Sequence, residues 1–265
     1  PGRVRGIIEI PFERPRSLDL RTTVEFFHLM NKARGLFEQE PDIPHDAGMQ
    51  QEMVTTDIPP GVQSGAEIKM KGKGNPVTEA DVAADDKLKE ILTTKFPNYG
   101  WLSEETRDTP DRLTKKRVWV VDPIDGTKEF VEGIPNFVVS IGLVENGTPI
   151  LGVIHNPINK DTYTATLGGG IFFNGKQSTI SDKTKFSQIS MLNSRSETRQ
   201  GLWEPYIPHF KKLTPIGSIA LKLAMVAANQ TDMVASLKPK NEWDICAGHC
   251  LINEAGGTLL TNEGK

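Results

Sequence analysis

Acidic side chains that share a short stretch with a glycine and a hydroxyl are candidates for holding hard divalent cations beside a phosphate. The stretch 119–130, WVVDPIDGTKEF, has that make-up. Val118, Val120 and Val121 read as the end of a buried strand that delivers Asp122 and Asp125 across a turn fixed by Pro123. Two carboxylates about 4 Å apart in a surface-like medium repel by about 4 kcal/mol, so bound cations are a better reading than an empty acidic pair. Gly126 would let a phosphate approach the backbone amides, and Thr127 adds a hydroxyl at a prospective helix N-terminus. Phosphatases with an aspartyl nucleophile often carry D-x-D-G-T, which places both carboxylates on one side of a strand. Here the order is D-P-I-D-G-T, which argues against a covalent aspartyl intermediate. The plainer alternative is a strand, a proline turn and a helix cap with solvated acids.

Other acids stand far away in the chain. Asp81 closes NPVTEAD and falls in the first turn of an expected helix, where a carboxylate is favourable by up to about 1 kcal/mol for dipole reasons alone. Glu104 and Glu105 follow Ser103 at the end of a short expected strand; adjacent glutamates there are usually just solvated. Gly217 and Ser218 look like the start of a helix, with Ser218 as N-cap and the same terminus able to hold an anion. Asp244, after Trp243, reads as the N-cap of the last helix, with Ala247 and Gly248 allowing close packing on its first turn. Arg195 and Lys222 are equally readable as phosphate partners or surface charges. Cys246, His249 and Cys250 share a helical face, but a structural zinc needs four ligands and no second Cys/His pair is placed to help, so the thiols are expected in the core. His155 is assigned to structure, and Gly168–Gly170 to a bulge or close backbone approach rather than a nucleotide loop.

The elements that must position these groups follow from periodicity. Residues 1–21 read as an arm rich in Pro and Arg, and 22–38 as a helix opened by Thr22 and Glu25, whereas 42–73 has too weak a pattern for assignment. A loop over 72–79 runs into a helix from about Thr78 to Lys95, with Ala84, Leu88, Ile91 and Leu92 on its buried side. After the central stretch the period becomes two: strands over 137–145, 150–156 and 161–167 are separated by Asn146-Gly147 and Asn159-Lys160, and Asn174-Gly175 marks another turn. From about Phe186 the order alternates: strands over 189–192 and 213–216, a helix over 218–228, a strand over 233–237, a helix over 244–255 and a strand over 257–260. The expected division is an arm over 1–21, an α+β subdomain over 22–180 and an α/β subdomain over 181–265.

Composition narrows the class. The chain has 265 residues, 37% hydrophobic and 25% charged, with a formal charge of -3, which suits a globular protein with a substantial core and offers no basic field for a nucleic acid polymer. No run of 18 apolar residues exists, and the N-terminal stretch lacks the apolar core of a secretion signal, so a membrane is not expected as a partner and a cytoplasmic location is.

Taken in order, NPVTEAD, SEE at 103–105, DPIDGT at 122–127, the Gly217-Ser218 helix start and WDxxAG at 243–248 resemble the inositol monophosphatase superfamily of magnesium-dependent, lithium-sensitive phosphomonoesterases, over roughly residues 70–265. The resemblance implies an αβαβα five-layered sandwich of mixed α/β type. It implies two or three magnesium ions: Glu104, Asp122 and the carbonyl of Ile124 on the first, Asp122, Asp125 and Asp244 on the second, with Glu105 close by. It makes Asp81 and Thr127 the pair that orients and deprotonates the attacking water, and the amides of Gly126 and Thr127 the phosphate cradle, with Gly217 and Ser218 as further contacts. The ligand would be a small phosphorylated metabolite, with a non-catalytic protein that only binds such a metabolite as the remote alternative, and a homodimer is left open. DGTKEF, GSIALK and EWDICAGH are similar to the 3'(2'),5'-bisphosphate nucleotidase branch, which implies 3'-phosphoadenosine 5'-phosphate as substrate, ahead of inositol monophosphate and fructose 1,6-bisphosphate. The resemblance also implies a further strand and helix beyond Lys265.

Overall fold

The computed structural model describes residues 68–70 and 76–261. The arm expected over 1–21 and the helix expected over 22–38 lie outside these residues. Two short strands, β1 (Ile68–Met70) and β2 (Pro76–Thr78), pair antiparallel, so the loop expected through residue 79 gives way at Pro76. Helix α1 (Glu79–Lys95) starts where Thr78 caps it; of the expected buried side Leu88 and Leu92 are buried, whereas Ala84 and Ile91 are half-buried.

A seven-stranded sheet follows in unbroken sequence order: β3 (Gly100–Ser103), β4 (Arg117–Asp125), β5 (Val138–Glu145), β6 (Thr148–Asn156), β7 (Asp161–Thr166), β8 (Gly170–Phe173) and β9 (Lys176–Ser178). The β3–β4 pair is parallel and every later neighbour antiparallel. Two of the hairpins turn as their sequences demand: Asn146 and Gly147 have φ of 49° and 85°, Asn174 and Gly175 48° and 78°. In the β6–β7 turn the positive φ falls on Lys160 instead, while the Asn156 side chain accepts from the amides of Ile158 and Asn159. The expected strands match within a few residues.

Period-two alternation gives this sheet two apolar faces. Trp119, Val121, Val139, Ile141, Leu151 and Val153 pack with Leu88 and Leu92 of α1. Val138, Ile154, Tyr163 and Ala165 face the other way, towards α4 (Ile219–Ala227) and α5 (Glu242–Glu254). Beyond those helices lies a parallel three-stranded sheet in the order β11 (Lys212–Ile216), β10 (Ser190–Ser194), β12 (Met233–Val234). Short helices α2 (Thr127–Val131) and α3 (Arg195–Arg199) complete the alternation of helices and sheets. This is the expected αβαβα arrangement.

Glycine lets α5 approach the large sheet. A Cβ on Gly142 would sit 2.4 Å from the Cys246 sulfur, one on Gly152 2.4 Å from the Ala247 carbonyl oxygen, and one on Gly248 2.5 Å from Leu223 Cδ1 of α4. These separations are too short for any real side chain.

Three expectations are corrected. The strand expected over 233–237 stops at Val234, because the buried Glu197 carboxylate claims the amides of Leu237 and Lys238 that a ladder would have used. The strand expected over 257–260 does not form: Gly256 turns at φ 88° and the Gly257 amide folds back on the Ile252 carbonyl. In place of a bulge, Gly168 and Gly169 lie in the β7–β8 turn and Gly170 opens β8, with the amides of Gly168 and Gly170 donating to Glu254.

Candidate active site

The motif acids meet where the end of β4, the loop after β3 and the starts of α1, α4 and α5 converge. The decisive local feature is in β4. Positions three apart on a regular strand point to opposite faces, yet Asp122 pairs with Ser140 and Asp125 with Val138, which are two apart on β5 and share a face. The extra residue is a β-bulge, and it brings both aspartates to the same side. The strand therefore runs through Pro123 rather than ending before it, as a proline without an amide hydrogen can do at a bulge.

Oxygen atoms of Glu104, Asp122 and Asp244 lie within 4.8 Å of one another. Asp122 is 1% exposed, and one of its oxygens accepts from the Ile124 amide at 3.1 Å. Burial first, then the charges of Asp125, Glu104, Asp244 and Asp81, push its carboxyl well above the usual range. The carboxyl of Asp244 is pushed up to about 6 by burial and by Asp125. A bound cation would offset the cost of ionising both groups in so buried a place. The donor set fits magnesium, because it is all oxygen and converges from separate elements on one point, with the hard ligands that ion prefers.

Asp125 stands beside this trio without belonging to it. Its Oδ2 accepts from the Ser218 hydroxyl at 2.7 Å and from the Ala220 amide at 2.5 Å, which ties β4 to the first turn of α4. Burial raises its carboxyl pKa, against the lowering effect of those two bonds and of Lys222. Ser218 is indeed the N-cap, accepting from the Leu221 amide at 3.0 Å, but its hydroxyl hydrogen goes to Asp125 rather than to the space where a ligand was expected. Gly217 is packed on Glu129, whose carboxyl carbon would lie 2.0 Å from a Cβ at that position. Asp244 is corrected from N-cap to the third residue of α5. The cap is Asn241, whose amide donates to Asp244 Oδ2 at 2.7 Å.

Asp81 satisfies both of its readings, one oxygen to each. Its Oδ2 accepts from the amide and hydroxyl of Thr78 at 2.7 Å and 2.6 Å, completing the capping box. Its Oδ1 accepts from the Thr127 hydroxyl at 3.0 Å. That hydroxyl also lies 3.2 Å from the Ile124 carbonyl oxygen. Gly126, with φ of 107°, caps α2, and a Cβ there would meet the Asn136 carbonyl oxygen at 2.9 Å, so no other residue fits the turn. Glu105 is half-buried and outside the trio, its amide 3.5 Å from the Ser103 hydroxyl.

Arg195 is not free for phosphate: it pairs with Glu129 at 2.6 Å and Glu132 at 2.7 Å. Lys222 is 3% exposed, with its ammonium 3.3 Å from the Ile216 carbonyl oxygen; burial, aided by Lys240, lowers its pKa to about 8. Burial pushes the Cys246 thiol up to about 12 and Cys250 higher than an ordinary thiol, as expected of core cysteines. Sequence reading passed over Asp85, buried four residues beyond Asp81, and Glu129 on α2; the four-residue step along α1 was the signal for the former.

Among the described residues no helix is long and apolar enough to cross a membrane. The model of the inositol monophosphatase family matches residues 46–265. Inositol monophosphatase 2 of Solanum lycopersicum is 33% identical over 216 residues, covering 77% of this chain and 82% of that protein. Fructose-1,6-bisphosphatase/inositol-1-monophosphatase of Thermotoga maritima is 34% identical over 199 residues, covering 74% and 75% respectively. Among solved structures, the Thermotoga maritima IMPase superposes with a TM-score of 0.69 at 33% identity, covering 75% of this chain and 77% of that one.

Proposed function

The chain belongs to the inositol monophosphatase family and is a phosphoric monoester hydrolase; from that premise we propose that it removes phosphate from a small metabolite by direct attack of water, with the residues named above in defined roles. The observation that carries this is the meeting of the Glu104–Asp122–Asp244 trio with the Asp81–Thr127 pair around one strand end. Glu104, Asp122, the Ile124 carbonyl, Asp125 and Asp244 would hold magnesium. When bound, the ions make water more acidic and offset charge on the entering and leaving oxygens. Thr127 orients the water through its hydroxyl oxygen, and the proton it donates to Asp81 Oδ1 gives the water's own proton a route to that carboxylate. The capping box holds Asp81 still, which leaves only one of its oxygens for this task. Gly126 permits the phosphate to approach the backbone at the start of α2. No carboxylate need become a covalent nucleophile.

For the substrate we favour 3'-phosphoadenosine 5'-phosphate, hydrolysed to AMP and phosphate. The runs DGTKEF, GSIALK and EWDICAGH, which are similar to those of the nucleotidase branch, support this. A second reading, inositol monophosphate, is favoured by the names of the relatives at 33–34% identity. Phosphate release from 3'-phosphoadenosine 5'-phosphate, inositol 1-phosphate and fructose 1,6-bisphosphate, at equal concentration with magnesium and with or without lithium, separates them. The expected result is fastest release from the adenosine bisphosphate and inhibition by lithium. A preference of about tenfold or more for inositol phosphate, equivalent to about 1.4 kcal/mol, overturns the substrate choice.

A further inference from the structure

Helix α1 carries a second buried aspartate for which the chemistry above has no use. Asp85 lies one turn beyond Asp81 on the same face and is 2% exposed. Its Oδ1 accepts from the Ser103 hydroxyl and its Oδ2 from the Thr106 hydroxyl. Those two residues bracket Glu104 and Glu105. Ser103 continues the brace, because its oxygen receives the Glu105 amide at 3.5 Å. On the other side the Glu104 amide donates to the Val121 carbonyl at 3.2 Å, so the glutamates hang between β4 and one carboxylate of α1. A polar group so deeply buried is costly unless hydrogen-bonded, and both oxygens of Asp85 are. Here its two oxygens fix the loop at both ends at once.

We propose that Asp85 is a positioning residue for the metal-binding loop: by clamping Ser103 and Thr106 it fixes where Glu104 meets Asp122 and Asp244, and so sets the affinity of that site for divalent cations. This rests on the reading of the trio as a cation site. The helix that orients water through Asp81 thereby also carries the support for the metal ligands, so the two parts of the site move as one body. Groups that hold a metal ligand from behind typically change metal affinity by about 10–100-fold when removed.

The test is direct binding of magnesium by calorimetry and of manganese by electron paramagnetic resonance. The full chain is compared as wild type, Asp85→Asn, Asp85→Ala, Thr106→Val and the Asp85→Ala/Thr106→Val pair, with thermal unfolding in chelator recorded for each. Asp85→Ala is expected to weaken cation binding about tenfold or more, and Asp85→Asn, which keeps one acceptor, by less. Thr106→Val weakens binding in the same direction and adds nothing on top of Asp85→Ala, since both break one clamp. Turnover at saturating magnesium should recover most of the wild-type value. If Asp85→Ala does not fold, Thr106→Val at its half-buried position carries the same prediction. Unchanged cation affinity in Thr106→Val and Asp85→Asn, with only the unfolding temperature lowered, overturns the proposal. A wild-type chain that binds neither ion overturns instead the reading of the trio as a cation site.

Discussion

Replacing Gly152 by alanine tests whether the seat of α5 on the sheet sets the geometry of the site. The added Cβ would lie 2.4 Å from the carbonyl oxygen of Ala247 and 3.1 Å from Cys250 Cβ. Ordinary contact begins at 3.4 Å, so the shortfall at the oxygen is 3.4 minus 2.4, or 1.0 Å. The obstacle is backbone in the middle of a helix, which cannot rotate aside, so α5 as a whole must move by something near that distance. Asp244 sits one turn earlier on the same helix and moves with it. Overpacking of this kind costs about 1–3 kcal/mol, and each kcal/mol lowers the unfolding temperature by about 2–4 °C in a domain of this size. A displacement of about 1 Å at a reacting centre costs roughly a hundredfold in turnover. The assay is therefore double: calorimetric unfolding in chelator, and phosphate release as a function of magnesium concentration. We expect both the loss of stability and a rise in the magnesium needed for half-maximal rate. Gly142→Ala is the internal control, because its Cβ meets first the Cys246 sulfur, at 2.4 Å, and the Ala247 backbone nitrogen only at 3.2 Å, and Cys246→Ala in the same chain should relieve most of its effect. Wild-type stability and magnesium dependence in Gly152→Ala would refute the idea that the two glycines place Asp244.

Two other outcomes follow from the site. Asp125→Asn should reduce turnover by orders of magnitude while the fold persists, since the asparagine oxygen can still accept from Ser218 and the Ala220 amide; near-normal activity would remove Asp125 from the catalytic account. Magnesium should raise the unfolding temperature little at about pH 5 and progressively more up to about pH 8. The sign comes from Asp244 and Asp122, whose carboxyls burial pushes above their unfolded range, Asp244 to about 6. The metal-free protein then gains stability from those protons at low pH and loses it as pH rises through that value, while the cation competes with the protons and takes their place. Equal magnesium shifts at both ends of the range would show that these groups are not its ligands.

Much of this molecule is legible locally. Asn-Gly pairs and period-two alternation mark the meander, Thr78 and Asp81 mark the start of α1, and the order of five acidic or small-residue motifs identifies the family, because each depends on backbone preferences of residues close in sequence. Where an oxygen ends up depends instead on partners far along the chain. Asp81 meets Thr127 across 46 positions, and Asp125 meets Ser218 and Ala220 across 93 and 95. No spacing rule announces that Asp125 spends an oxygen on α4, that Asp85 braces the glutamates, or that Glu197 takes the amides of the expected strand after Val234. The bulge in β4 is of the same kind: the residues from Asp122 to Asp125 allow it, but only pairing with β5 decides that both aspartates face one way. Local residue types and spacing thus name the candidate cation ligands and the elements that carry them. The tertiary structure alone decided which of their oxygens remain available, because in a buried site each acceptor is claimed by whatever donor the packing brings within reach.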